Sequence, residues 1–137
     1  MTVSVAQIEE IDAPVDSCRE RKRVLVCTAS YLPGYKSGGP IRSIANMVAH
    51  LSSYFDFYVV TRDRDATDTE SYPGVTPNRW YRVGNARVLY CSSVGPGILL
   101  RAAREVRPDI ISLNSFQDVF TAVEALARAV GPRAAAS

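Results

Sequence analysis

The chain has 137 residues, 47% of them hydrophobic and 22% charged, with a formal net charge of +2. That length suits about one domain with a core of ordinary size. The charge is too small for a nucleic-acid binder, no basic face or interleaved aromatic platform is present, and no apolar run approaches the ~20 residues that cross a bilayer.

Three cysteines, Cys18, Cys27 and Cys91, show no metal-ligand spacing, and their odd number argues against a disulfide framework. Cys27 and Cys91 sit in strand-like runs and read as small buried hydrophobes. No metal cluster and no Ser-His-Asp pattern is visible, so no cofactor is expected. His50 reads as a solvated residue late in a helix.

Residues 1–22 read as a flexible leader. Glu9, Glu10, Asp12 and Asp16 stand where a signal peptide would need a basic start and an apolar block, so a cytoplasmic location is expected. Pro14 and the mixed-charge run Arg19 to Arg23 end this segment. Ile8 and Ile11 suggest at most one turn of helix.

The first strand is expected over Arg23 to Thr28, where Val24, Leu25, Val26 and Cys27 form the continuous apolar run of a strand buried on both faces. A loop with Gly38-Gly39 follows. Pro40 suits the first position of a helix, and Ile41, Ile44, Ala45, Val48 and Leu51 recur at helical spacing through Ser52. The next strand is expected over Asp56 to Thr61, which completes a βαβ unit. Arg62 to Asn78 is a long polar loop with Asp63, Asp65, Asp68 and Glu70, of the length usually reserved for function or disorder. Arg79 to Val83 and Arg87 to Cys91 flank Gly84-Asn85 and predict a hairpin. After Gly95-Pro96-Gly97, Ile98, Leu99, Ala102, Ala103 and Val106 mark one helical face, closed by Pro108. A buried strand over Asp109 to Leu113 comes next. A last helical face runs from Val119 to Val130 and ends at Gly131-Pro132. This order predicts an α/β fold, a mainly parallel sheet with helices on both faces. Only residues 132–137 follow, where a further strand would be usual; this predicts a fragment of a longer protein, the alternative being a sheet complete at that edge.

A strand, a glycine pair and a helix start together form a place where backbone N–H groups face an anion, and glycine lets a phosphate or sugar approach the backbone. The run Pro33, Lys36, Gly38-Gly39-Pro40 and Arg42-Ser43 resembles the first loop of GT-B glycosyltransferases, the two-Rossmann-domain enzymes that use nucleotide-sugars, and in particular the retaining family 4 that builds bacterial polysaccharides. Further matches follow in order: Thr61 with Asp63-Arg64-Asp65, Tyr72-Pro73-Gly74, Trp80, Val83-Gly84, Val88, Tyr90, Pro108-Asp109 and Asn114-Ser115-Phe116. The resemblance covers residues 23–131 and implies a Rossmann-like domain, the first half of a GT-B fold.

In that family this half chiefly holds the acceptor, while a C-terminal domain, absent here, holds the donor. The resemblance therefore implies the acceptor-binding half of a retaining hexosyltransferase, inactive by itself unless a separate donor-domain chain completes it. Its partners would be a nucleotide-sugar and a glycan or lipid-linked acceptor, with peripheral contact at the inner membrane face. The alternatives are a non-catalytic binding or regulatory domain and an inactive remnant.

Each candidate residue has two roles open to it. Gly38 and Gly39 would face the donor diphosphate, with amides stabilising charge on the departing phosphate, or they serve a turn needing positive φ. Lys36 and Arg42 would bind acceptor phosphates, or are solvated. Asp63, Arg64 and Asp65 follow a strand's carboxyl end, where they would meet acceptor hydroxyls, or form an internal Arg–Asp pair that orders the loop. Asn114, Ser115 and Phe116 would bind a sugar, or cap the last helix. No catalytic base is assigned.

Overall fold

The computed structural model describes residues 8–11, 21–28, 30–34, 39–65, 69–92 and 96–113. The fold is α/β. Six strands, β1 (Ile8–Glu10), β2 (Lys22–Cys27), β3 (Phe55–Arg62), β4 (Arg79–Val83), β5 (Ala86–Cys91) and β6 (Ile110–Leu113), form one mixed sheet, and two helices, α1 (Gly39–Leu51) and α2 (Pro96–Val106), pack on it. The sheet order is β1-β4-β5-β3-β2-β6. Pairs β2–β3, β2–β6 and β3–β5 are parallel; β4–β5 and β1–β4 are antiparallel.

Alternation along the strands divides the core in two, because successive side chains point to opposite faces. Val24, Val26, Phe57, Val59, Val88 and Tyr90 join Ile44, Ala45 and Val48 of α1. Leu25, Cys27, Tyr58, Val60, Leu89 and Cys91 join Leu99, Ala102, Ala103 and Val106 of α2. The helices thus lie on opposite faces, as the strand–helix–strand order predicts. The central parallel strands are apolar on both faces, hence their unbroken runs of Val, Leu and Tyr.

Boundaries fall within one or two residues of the sequence pattern. Helix α2 ends where Arg107 takes a left-handed backbone, φ 53°, and its N–H donates to the Ala103 carbonyl at 2.9 Å. The Arg23 guanidinium then donates to the Val106 carbonyl at 2.9 Å, satisfying an end-of-helix acceptor with a cation that also suits the helix dipole. Gly84 opens the hairpin turn at φ 59°, where glycine is the residue without steric cost.

The leader is corrected in part. Ile8–Glu10 is not a turn of helix but an edge strand, with Ile8 opposite Val83 and Glu10 opposite Tyr81. The Ile11 N–H donates to the Trp80 carbonyl, and Ile8 packs on the α1-side core. A three-residue strand carries too little alternation to be seen in sequence; the unpaired side of β4 selects it. The rest of the leader, the helix expected from Val119 to Val130 and the tail lie outside the described residues. No helix among the described residues is long and apolar enough to cross a membrane.

Candidate functional site

Counting only the parallel strands in chain order, β2, β3, β5 and β6 lie in the order third, second, first, fourth. The chain winds outward from β2 in one direction and then returns to β2's other side to lay down β6. This reversal between β2 and β6 is the switch point at which open α/β sheets form a crevice beyond the carboxyl ends of their strands. Cys27 pairs in register with Leu113, so the two strands end side by side. The loop leading to α1 leaves from one, and Asn114 follows directly on the other.

The first loop is held from beneath by tyrosines. The Tyr90 hydroxyl donates to the Leu32 carbonyl at 2.6 Å, and the Tyr72 hydroxyl to the Tyr31 carbonyl at 3.4 Å. Tyr72 and Tyr81 each meet the Tyr90 ring edge-on, with centroids 5.8 and 5.9 Å apart. Burial pushes the Tyr31 phenol up to about 12. Tyr90 is raised as well, by burial first and then by neighbouring tyrosines. The phenols therefore remain hydrogen-bond donors at neutral pH. The Leu32–Pro33 peptide is cis, and the Gly34 N–H donates back to the Tyr31 carbonyl at 2.9 Å.

The long loop after β3 is folded against this structure. Asp63 donates its N–H to the Cys91 carbonyl and accepts at its own carbonyl from the Tyr72 N–H. Its Oδ1 accepts from Arg64 Nε at 2.9 Å, while Arg64 Nη1 donates to the Thr69 carbonyl at 2.7 Å. The Thr76 N–H donates to the Tyr81 hydroxyl, and the Asn78 N–H to the Tyr90 carbonyl. Asp63 and Asp65 are both buried. Among the described residues, Asp63 Oδ2 and Thr61 Oγ1 are buried atoms at this edge with no hydrogen-bond partner. Orphaned buried acceptors are uncommon and call for a ligand, a water or a rearrangement.

The expected site residues separate accordingly. Gly39 opens α1 and is exposed; its φ is not in the left-handed region, and a Cβ placed there would meet nothing within 4 Å. Arg42, exposed on the first turn of α1, makes no hydrogen bond or ion pair with a described residue. Asp63 and Arg64 form an ion pair, Arg64 Nε lying 2.9 Å from Asp63 Oδ1. Lys36, Gly38, Asn114, Ser115 and Phe116 lie outside the described residues. His50 is exposed, its Nδ1 2.7 Å from the Asn46 carbonyl.

The sequence reading missed Tyr31, Gly34, Tyr72 and Tyr90 as the frame of this edge. Tyr90 had a signal, since it alternates with Leu89 and Cys91 onto the α1 face. Asp65 had one too, its place with Asp63 and Arg64 beyond the end of β3, but its burial beside Gly34 and Tyr72 was not visible. Among the described residues, no group of His, Cys, Asp or Glu is placed to hold a metal ion. No protein-family model, curated protein or solved structure matches this chain.

Proposed function

We propose that this chain is the acceptor-side half of a GT-B glycosyltransferase resembling family 4, which presents a glycan or lipid-linked acceptor to a sugar carried by a nucleotide. The observation that carries the reading is the strand reversal at β2–β6. It sets the end of β2, from which the chain runs on to Gly39, beside the end of β6, which precedes Asn114, and strand ends at such a reversal are where open α/β sheets form a ligand crevice. Gly39 supports it further. The fold requires glycine there neither for positive φ nor for space, so the missing side chain leaves the amide end of α1 open to a ligand. Arg42 stands one helical turn on with its guanidinium uncommitted, suited to a phosphate of the acceptor. Asp63 and Arg64 act by fixing the shape of the crevice wall.

The chemistry assigned to these residues is binding and orientation. Amides at the start of α1 would stabilise negative charge that develops as the nucleotide leaves. The donor and the second half of the crevice would come from another domain or chain, so this chain alone is expected to bind acceptor without transferring sugar.

Calorimetry with a polyprenyl-phosphate analogue and with nucleotide-sugars tests this. The reading expects the lipid phosphate to bind, and Gly39→Val or Arg42→Gln to weaken it about tenfold, the scale of one charge-assisted contact, with unchanged urea midpoints. Tight binding of the nucleotide-sugar by this chain alone would favour a free-standing binding module instead.

A further inference from the structure

At the opposite end of the sheet, where the parallel strands begin, lies a cavity of about 150 Å³ lined by Arg21, Asp56, Arg82, Arg87 and the Gly84–Asn85 turn. Arg82 on β4 and Arg87 on β5 stand directly opposite each other in the antiparallel ladder. Their neighbours Trp80 and Leu89 both point to the α2 side, so the two arginines share that face. Like charges directly opposite each other destabilise a sheet. Arg87 is also buried, at 9% exposure. Its guanidinium lies 5.4 Å from the centroid of the Tyr58 ring, and among the described residues its hydrogen bond is a long one, 3.4 Å to the Tyr58 hydroxyl.

Carboxylates do not answer this charge. No described Asp or Glu forms an ion pair with Arg87 or Arg82, although Glu9 on β1 stands across from Arg82 on its other side. Asp56, buried in the same cavity, has Arg21 Nη1 4.0 Å from its Oδ1, and that same nitrogen donates to the Ser52 carbonyl at 3.0 Å. Among the described residues that line the cavity, three guanidinium groups stand against one carboxylate, an excess of positive charge. A buried cation facing another cation across a polar cavity costs free energy unless an anion joins them.

We propose that this cavity binds a phosphate dianion, either inorganic phosphate or a phosphomonoester, between Arg82 and Arg87. Two planar guanidinium forks on adjacent strands suit the tetrahedral oxygens of a phosphate, and Arg21 closes the solvent side. Ser52 and Asn85 supply neutral polar groups at the rim. Asp56 sets the selectivity: it disfavours bulky polyanions and leaves room for a single phosphate.

Inorganic phosphate and glycerol phosphate are titrated separately into the full chain, by calorimetry and by thermal unfolding against chloride at matched ionic strength. The expected result is saturable binding of at least one of them with a raised melting temperature, the tighter of the two naming the source. Arg82→Gln, at an exposed position that leaves the fold intact by circular dichroism, should weaken binding about tenfold or more. Arg104→Gln, an exposed arginine of α2 outside the cavity, should not. A phosphate response no greater than that of chloride, or one equal in the two variants (an adventitious ion only), overturns the proposal.

Discussion

Gly34 and Gly39 both lie between β2 and the body of α1, yet the fold leaves room for a side chain at only one of them. At Gly34 a Cβ would lie 2.5 Å from the Tyr72 hydroxyl oxygen and 2.8 Å from Asp65 Oδ1. The loop after β3 closes onto the bare backbone, and Tyr72 reaches the Tyr31 carbonyl across it. At Gly39 a Cβ would meet nothing within 4 Å. Gly34→Ala is therefore expected to destabilise the protein by about 1–3 kcal/mol, the cost of forcing a packed contact apart, and to lower the urea midpoint. Gly39→Ala should leave that midpoint nearly unchanged, since alanine at a helix start with ordinary φ brings no strain. Equal losses at the two positions would mean that Gly39 too is a structural glycine, and the ligand argument built on it would go. The sequence displayed the Gly38-Gly39 pair and drew attention to it. The structural demand at Gly34 was hidden, because it arises from residues some thirty to forty positions away. The same holds for Asp63 and Asp65, whose burial depends on Arg64, Tyr72 and the strand ends.

Among the elements, α2 shows how composition sets packing distance. Ala102 and Ala103 are both fully buried against the β2–β3–β5 face, beside Leu99 and Val106. Their small side chains let the helix lie close to Tyr58 and Trp80, whose rings meet edge-on at 6.1 Å. The indole N–H of Trp80 donates to Glu105 Oε2 at 3.1 Å, and Arg101 Nε donates to Glu105 Oε1 at 2.6 Å, so the exposed side of the helix is tied to the hairpin. Ala103→Leu should lift α2 from the sheet and cost about 1–3 kcal/mol by overpacking, read as a lowered urea midpoint with weaker near-ultraviolet ellipticity of Trp80. A variant as stable as the parent would show unfilled space beneath α2. The helical face containing these alanines, the hairpin at Gly84-Asn85 and the central strands were all legible, because period and turn chemistry are local. Strand β1 was not, since only pairing with β4 makes Ile8–Glu10 a strand. Strand order was not legible either, and it is what sets the ends of β2 and β6 side by side.

At the scale of the whole molecule, the groups locked within the central strands and the loop after β2 govern its response to alkali. Burial, and secondarily the neighbouring Cys91, pushes the Cys27 thiol from 9.0 up to about 12. Burial pushes the Tyr31 phenol from 10.0 up to about 12 and raises Tyr90 above 10.0 too. Each native group therefore keeps its proton over a range in which the unfolded chain has lost it. With the unfolded state binding fewer protons, stability falls as pH rises. The contribution of these groups is fully present below about 9, where the unfolded thiol begins to titrate, and is lost as pH climbs toward about 12. Urea midpoints measured from neutral pH into this range should be level and then fall. Cys27→Ala removes the earliest of the three, so the decline in that variant should be shallower from about 9 upward, with Cys91 and the tyrosines remaining. A decline as steep in Cys27→Ala as in the parent would show that the thiol is not sealed in the α2-side core, and the assignment of alternate strand residues to separate faces would fail with it.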